Sequence, residues 1–217
     1  MNSARSTASG ARRRKAVFLD RDGTLTEPRH YPSRPDDLIL QPGIGPPLRA
    51  LQHAGWALVV VTNQSAVARG LLTITDLEAM HERLSALLLA QDVQLDGIYA
   101  CPHHPNGTVT DYRRPCQCRK PAPGMLHWAA HDLELDLTRS WTVGDSPCDI
   151  GAGRRAGTRT ILVATAPLHH AAADASRATT SEALFHVLRH HLGTPQRAKQ
   201  RRGGADDDGG RELAARP

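Results

Sequence analysis

Residues 16–24 read AVFLDRDGT, an apolar run that leads directly into two acidic residues and a glycine. The run predicts a buried strand, and side chains two positions apart in an extended chain point the same way, so Asp20 and Asp22 can face one site. Ligands of open α/β sheets bind at the carboxyl ends of the strands. Paired carboxylates there can hold magnesium, and one of them can attack phosphorus. The alternative is a capped turn, because Asp and Gly are common turn residues.

Three segments further along the chain supply the other polar groups that a phosphoryl-transfer site needs. The apolar run 58–61 leads into Thr62, the run 140–143 leads into Asp145, and Lys120 precedes a predicted helix. Hydroxyl and ammonium donors can surround the charge that spreads over the phosphoryl oxygens during transfer. The alternative is a strand-end cap for Thr62 and a solvated surface position for Lys120.

The four segments occur in the same order as the four motifs of the haloacid dehalogenase superfamily of phosphotransferases, which residues 16–165 resemble. The resemblance implies an α/β fold, with a doubly wound, mostly parallel, Rossmann-like sheet. The intervals that follow the segments at Thr24 and Ser65 are too short for a large cap domain. We therefore expect an open site.

The resemblance also implies a role for each polar residue. Asp20 is the expected nucleophile, which forms an aspartyl-phosphate, and Asp22 protonates the leaving oxygen and then activates water. Mg²⁺ is expected to be held by the Asp20 carboxylate, the Asp22 backbone carbonyl and Asp145. It would offset the repulsion between an anionic substrate and an anionic nucleophile. Thr62 and Lys120 are expected to bind the phosphoryl oxygens.

A second constellation contains three of the four cysteines of the chain within eighteen residues. Its predicted zinc ligands are Cys101, His103, Cys116 and Cys118, with His104 as an alternative to His103. Soft thiolates and an imidazole suit tetrahedral Zn²⁺, and four protein ligands make a closed structural site. The alternative is a set of incidental thiols in a reducing compartment.

Zinc would order the loop 101–118, which is rich in Gly, Pro and polar residues and cannot form a core of its own. Cys118 directly precedes Arg119 and Lys120, so an ordered loop would position both cations over the site. Arg119 would then be available to bind a second phosphate or a sugar oxygen.

The two constellations together resemble the zinc-loop branch of the superfamily, whose phosphatases act on heptose bisphosphate or on histidinol phosphate. The long loop between His103 and Cys116 favours the heptose group. In the heptose group, a loop after the first motif contacts substrate, and in this chain that substrate loop is residues 28–31. Ser146 occupies a position where the heptose group often has a lysine. The substrate-binding residues that the resemblance implies are Pro28, Arg29, His30, Tyr31, Thr62, Asn63, Gln64, Ser65, Arg119, Lys120 and Ser146.

The implied activity is magnesium-dependent removal of the 7-phosphate from D-glycero-D-manno-heptose 1,7-bisphosphate, which leaves the 1-phosphate for nucleotide activation. The first alternative is histidinol-phosphate phosphatase, which shares all the catalytic groups. A DNA-end phosphatase is a further alternative because of the shared acidic motif and the basic tails. A zinc-ordered binding module with an inactive site is the alternative from another class.

The coarse pattern alternates strands and helices. Strands are predicted at 16–20, 57–61, 97–100, 140–143 and 158–163, and helices near 44–54, 73–90, 123–133, 151–157 and 181–192. Such alternation predicts a parallel sheet with helices on both faces. Thr75 with Glu78 is the predicted capping box of the second helix. Asp149 either tunes the site or occupies the first turn of a helix, where acids are favoured.

Charge is concentrated at the two ends of the chain. The net charge is +5, whereas residues 16–193 alone carry −2, so we assign 1–15 and 194–217 to disordered tails. No run approaches the roughly 18 apolar residues of a membrane span. Reduced cysteines at a metal site indicate the cytoplasm. We expect a monomer that acts on a small phosphosugar and binds neither nucleic acid nor membrane.

Overall fold

A six-stranded parallel sheet forms the centre of the chain, with the strand order β3-β2-β1-β4-β5-β6. The computed structural model describes residues 13–29, 31–164 and 172–192. The strands are β1 Ala16–Leu19, β2 Ala57–Asn63, β3 Gly97–Cys101, β4 Trp141–Gly144, β5 Arg159–Val163 and β6 Ala175–Arg177. All five neighbouring pairs are parallel. The predicted fold class is thus confirmed.

Helices cover both faces of the sheet. They are α1 Gly45–His53, α2 Ser65–Ala68, α3 Ile74–Leu89, α4 Gly124–Asp132, α5 Pro147–Ala156 and α6 Thr180–Leu192, and two short 3-10 helices span Pro35–Asp37 and Leu137–Arg139. Alternate residues of β1 enter two separate cores. Val17 and Leu19 pack with α1, α3 and α6, while Ala16 and Phe18 pack with α4 and α5. The sheet is therefore doubly wound.

The order of the strands determines where a ligand can bind. The chain progresses outward from β1 to β3 on one side and from β4 to β6 on the other, so the direction changes beside β1 and β4. A crevice opens beyond the carboxyl ends of the strands at such a switch point. No large cap domain covers this edge within the described ranges.

Two details of the secondary structure differ from the sequence-based expectation. The edge strand β6 was missed, because its three residues are partly exposed and carry no apolar pattern. The capping box of α3 is formed by Thr73 and Asp76 rather than by Thr75 and Glu78. Aspartate at the third helical position takes the place that glutamate usually has in this motif.

The predicted amino-terminal tail is shorter than expected. Arg14 forms a parallel bridge with Leu135, and the backbone oxygen of Lys15 accepts a hydrogen bond from Ala57. Residues 13–15 therefore belong to the folded domain, and the rest of the two predicted tails lies outside the described residues. None of the helices in the described part of the chain is long and apolar enough to cross a membrane.

Candidate active site

Two acidic residues meet at the switch point of the sheet. Asp20 directly follows β1 and Asp145 directly follows β4, and these two strands are hydrogen-bonded neighbours. The Asp145 side chain lies so close to the backbone at position 23 that this position requires glycine. A Cβ atom there would lie 2.0 Å from the Asp145 Oδ2 atom. Gly23 also has a φ of +84°, which L side chains rarely adopt. The sequence of the first motif thus makes room for the second acid.

Lys120 is buried between two carboxylates, with only 3% of its surface exposed. Its Nζ donates hydrogen bonds of 2.7 Å to Asp20 Oδ1 and to the Val61 carbonyl, and lies 2.6 Å from Asp149 Oδ1. Burial opposes the charged form of the amine, but the two carboxylates outweigh it and raise the pKa of Lys120 above its ordinary value. Lys120 is therefore a fixed cation, not a solvated surface residue.

The Asn63 side chain determines where Lys120 stands. Its amide nitrogen donates to the Lys120 carbonyl at 3.1 Å, and its amide oxygen accepts from the Lys120 N–H at 3.0 Å. Both polar atoms of Asn63 are thereby used by the backbone. The side chain of Asn63 thus positions the lysine, and the residue, which was predicted to bind substrate, also lines a cavity beside Asp22.

Asp149 fulfils both roles that the sequence left open. One carboxylate oxygen accepts from the Ser146 N–H at 3.0 Å and so caps α5, while the other pairs with Lys120. The side chain is 1% exposed, and it approaches the backbone so closely that a Cβ on Gly144 would lie 2.3 Å from the Asp149 side chain. The ion pair with Lys120 was not predicted from the sequence.

The three acids at the floor of the site form a set of oxygen donors that suits a divalent cation. Carboxylate oxygens of Asp20, Asp145 and Asp149 all lie within 4.8 Å of one another. Burial raises the pKa of Asp20 to about 7, with Asp149 and Asp145 adding to the rise and Lys120 opposing it. Burial and Asp149 likewise raise the pKa of Asp145 to about 6. A bound Mg²⁺ would relieve this repulsion, so the residues fit the metal.

A hydrogen-bonded network surrounds the Asp22 carboxylate. Arg21, which is fully buried, donates from Nε and Nη2 to its two oxygens at 2.9 and 2.8 Å. The Gln64 amide donates to Asp22 at 2.9 Å and to the Thr62 hydroxyl at 2.8 Å. Sequence reasoning missed Arg21, because it lies between the two acids and was treated as a spacer. Gln64 was predicted to contact substrate, and here it links two catalytic candidates.

A cavity of about 230 Å³ opens beside Asp22. It is smaller than the roughly 300 Å³ of typical ligand pockets, which suits a small ligand. Arg29 and Tyr31 of the predicted substrate loop lie on one side and Ser65 on the other; the full lining is Asp22, Arg29, Tyr31, Pro32, Asn63, Gln64, Ser65 and Ala66. Five sequence-predicted positions of two separate segments are thus brought to one cavity with Asp22.

The four predicted zinc ligands come together in the structure. The three Sγ atoms are 3.2–3.5 Å apart, and His103 Nδ1 lies 3.3 Å from the Cys118 Sγ. Tetrahedral zinc with Zn–S bonds of about 2.3 Å would hold its sulfur ligands about 3.8 Å apart. The donor set therefore fits Zn²⁺ with a small expansion.

The thiols of this cluster differ in their ease of ionisation. Burial raises the pKa of Cys101, and burial together with a hydrogen bond to Cys116 raises that of Cys118. Burial also opposes ionisation of Cys116, but hydrogen bonds from Cys118 and from the Arg119 N–H outweigh it and lower the pKa. Cys116 is therefore the most readily ionised of the three thiols.

Three other predicted substrate residues have different surroundings. The Ser146 hydroxyl accepts from the Cys148 N–H at 3.3 Å and caps α5. Arg119 donates from Nη1 to the His103 carbonyl at 3.4 Å, which places it at the zinc loop. Pro28 is exposed. His30 lies outside the described residues.

Comparisons with known proteins agree with this geometry. The family model for HAD-hydrolase-like proteins, where HAD stands for haloacid dehalogenase, matches residues 117–189. D-glycero-β-D-manno-heptose-1,7-bisphosphate 7-phosphatase of Escherichia coli K12 is 45% identical over 151 residues, 69% of this chain and 79% of that protein. The chain belongs to the HAD-like phosphatases. It is accordingly a phosphoric monoester hydrolase by family.

Two further members of this phosphatase family are similar over most of the chain. The protein of the same name from Rhodopseudomonas palustris is 42% identical over 151 residues, which cover 70% of this chain and 83% of that one. The crystal structure of D,D-heptose 1,7-bisphosphate phosphatase from B. bronchiseptica, complexed with magnesium and phosphate, has a TM-score of 0.70 and 31% identity. That comparison covers 81% of this chain and 99% of the other.

Proposed function

We propose that this phosphatase removes the 7-phosphate of D-glycero-D-manno-heptose 1,7-bisphosphate in a magnesium-dependent reaction. The observation that carries the proposal is the meeting of Asp20, Lys120 and Asp145 at the switch point, beside the cavity that Arg29 and Tyr31 line. Relatives named for this activity are 42–45% identical to the chain. Their names specify the β anomer, which is therefore the first anomer to test.

In the first step, a carboxylate oxygen of Asp20 attacks the phosphorus of the 7-phosphate. The bond between phosphorus and the sugar oxygen breaks, and an aspartyl-phosphate forms on Asp20. Lys120 lies 2.7 Å from Asp20 Oδ1, so its ammonium group can neutralise charge on the transferring phosphoryl oxygens. The Thr62 hydroxyl is available to donate a hydrogen bond to another of these oxygens.

Asp22 is the proposed acid of the first step and the base of the second. It gives its proton to the leaving sugar oxygen, and then takes a proton from the water that attacks the phosphorus of the aspartyl-phosphate. The bond between phosphorus and the Asp20 oxygen breaks, so inorganic phosphate leaves and the Asp20 carboxylate is restored. Its carboxylate accepts hydrogen bonds from Arg21 and Gln64 in this structure. We infer that the Asp22 side chain turns away from these donors when the sugar oxygen arrives.

Two metal ions complete the proposal. Asp20 and Asp145, with the Asp22 backbone carbonyl, would hold Mg²⁺, which supplies charge that brings an anionic substrate close to an anionic nucleophile. Asp149 lies within reach of the same ion. The cluster of Cys101, His103, Cys116 and Cys118 would hold Zn²⁺ as a structural ion.

The product would keep its 1-phosphate, which is the group that a nucleotidyltransferase needs in order to make a nucleotide-activated heptose. We propose that the chain performs this step as a monomer in the cytoplasm. Reduced thiols at a metal site support that compartment.

The proposal is tested by identifying which phosphate is released. The full chain is incubated with the β-anomeric bisphosphate and Mg²⁺, and ³¹P NMR follows the two phosphate signals. We expect inorganic phosphate to appear while the signal of the 7-phosphate disappears and that of the 1-phosphate persists. Loss of the 1-phosphate first, or no reaction although p-nitrophenyl phosphate is hydrolysed, would contradict the proposed substrate.

A further inference from the structure

Arg69 lies where α2, the substrate loop and the zinc loop meet. It follows α2, and its guanidinium carbon is 5.9 Å from the centroid of the Tyr31 ring, within the range of a cation–π contact. On its other side, Nη2 lies 3.5 Å from Nε2 of His104. Its Nε atom is buried and has no hydrogen-bond partner among the described residues. A long cationic side chain thus touches the substrate loop and the zinc loop at once.

The zinc loop is anchored to α2 directly before Arg69. The Ala68 carbonyl accepts two hydrogen bonds, from the Thr108 N–H at 2.7 Å and from the Val109 N–H at 3.0 Å. A Cβ atom on Gly107 would lie 2.6 Å from the Ala68 oxygen, so the two backbones are in close contact. A displacement of the zinc loop therefore acts on the end of α2, where Arg69 is located.

Tyr31 is the part of the substrate loop that this contact can hold in place. It lines the cavity beside Asp22, and its φ of +50° lies in the left-handed region. Non-glycine residues adopt that region only where neighbouring contacts stabilise it. Arg69 packs against the ring and supplies one of these contacts.

We propose that Arg69 is a positioning residue that ties the zinc loop to Tyr31, so that metal binding at the thiol cluster holds one wall of the substrate cavity in place. His104 follows the predicted ligand His103 directly, and from there the contacts run through Arg69 to the Tyr31 ring. The effect on the substrate rests on the proposed function, whereas the tie between the loops can be measured without any substrate.

The first test is hydrogen–deuterium exchange on the full chain, with zinc and after chelation. In the wild type, chelation should speed exchange in the loop 101–118 and in the peptide that contains Tyr31. In Arg69→Met, the Tyr31 peptide should already exchange fast with zinc bound and should respond little to chelation. The exposed Arg83→Met on α3 is the matched control and should behave like the wild type. Wild-type exchange of the Tyr31 peptide in Arg69→Met would overturn the proposal.

The second test separates substrate binding from chemistry. Arg69→Met should raise KM for the heptose bisphosphate by about 2- to 30-fold, the range typical of residues that couple two sites, with kcat much less affected. Chelation should raise the KM of the wild type more than that of Arg69→Met, because the tie is already broken in the variant. Arg69→Lys keeps the charge but loses the planar stacking, so it should recover part of the loss.

A fall in kcat with an unchanged KM in Arg69→Met would contradict a positioning role at the cavity wall. If the wild type does not hydrolyse the bisphosphate, the proposed function fails, and the exchange experiment still decides whether Arg69 ties the two loops together.

Discussion

The floor and the rim of the active site are built in different ways. Two acids of the floor, Asp20 and Asp145, directly follow strands. The central cation of the floor, Lys120, is 3% exposed and held by two carboxylates and a carbonyl. The rim consists of the substrate loop (residues 28–31), residues 63–69 and the zinc loop (residues 101–118). Arg29 of the rim is exposed, and its guanidinium lies 3.9 Å from the carboxylate of its ion-pair partner Asp37. A rigid floor can perform the same chemistry for many phosphate esters. We therefore expect the rim to determine the selection between esters.

The largest expected effect concerns Asp20, the proposed nucleophile at the floor. Asp20→Asn should reduce phosphate release by about 10⁴-fold or more, since the amide cannot replace the carboxylate in its proposed role as nucleophile. The loss should be similar for the bisphosphate and for p-nitrophenyl phosphate, because both use the floor. Asp92→Asn, an exposed acid after α3, is the control and should keep full activity. Substantial turnover by Asp20→Asn would break the distinction between floor and rim.

Asp22→Asn should depend on the leaving group. Removing a general acid typically costs about 10²–10⁴-fold in rate for a poor leaving group such as a sugar alkoxide. Formation of the aspartyl-phosphate from p-nitrophenyl phosphate should be much less affected, because nitrophenolate leaves without a proton. Burst kinetics with both esters measure this difference, and equal losses in that step would contradict the acid role.

Lys120→Met should damage stability as well as activity. It leaves Asp20 and Asp149 without their cation, and breaking a buried ion pair in this way costs about 3–5 kcal/mol. Urea unfolding should show the loss, and the double variant Lys120→Met with Asp149→Asn should recover part of it. An unchanged unfolding midpoint in Lys120→Met would mean that the lysine is not buried among charges.

Loss of the zinc site should affect the rim alone. Cys116→Ser should raise KM for the bisphosphate by about tenfold, within the usual range of coupling between two sites, and should change turnover of p-nitrophenyl phosphate little. Metal analysis should show one zinc per wild-type chain and a reduced content in the variant. Equal losses of activity on both substrates would mean that the zinc loop supports the floor of the site as well as the rim.

The smallest effect concerns neither region but the scaffold. Burial and nearby cations lower the pKa of His186 and His191 on α6 below their usual 6.5. As the pH falls, these two histidines therefore take up protons in the unfolded chain before they do so in the folded chain. The contribution of the neutral histidines to stability is thus present above pH 6.5 and is lost as the pH falls below it. His186 is surrounded by Trp141, Arg177, Arg189 and His190. His191 is surrounded by Lys15, Trp56 and Arg139.

The double variant His186→Gln with His191→Gln isolates this contribution. The melting temperature of the wild type should fall more between pH 7.5 and 5.5 than that of the variant, by a few degrees at most. If the melting temperatures of the two proteins fall equally with pH, these histidines do not contribute to the acid sensitivity of the scaffold.

The floor could be predicted from the sequence because each of its parts carries a local signal. Asp20 and Asp145 stand at the ends of predicted strands, and parallel strands bring such positions to one edge. The partnership of Lys120 with Asp149 could not be predicted, since it joins two helix starts that no periodicity relates. Arg21 was missed because a single cation between two acids has no pattern of its own.

The rim was predicted only as a set of positions. The spacing of thiols and imidazole indicated the zinc cluster, but the tasks of Asn63 and Gln64 depend on which backbone or carboxylate stands opposite each amide. Arg69 was not predicted as a site residue, since its proposed role depends on contacts with two loops that lie far apart in the sequence.

The most direct test of the account is to compare heptose 1,7-bisphosphate and histidinol phosphate with the same enzyme and Mg²⁺. The specificity constant kcat/KM is measured for both in the wild type and in Cys116→Ser. We predict a strong preference for the bisphosphate in the wild type and a reduced preference in the variant. A preference for histidinol phosphate would keep the floor chemistry but contradict the substrate that we assign to the rim.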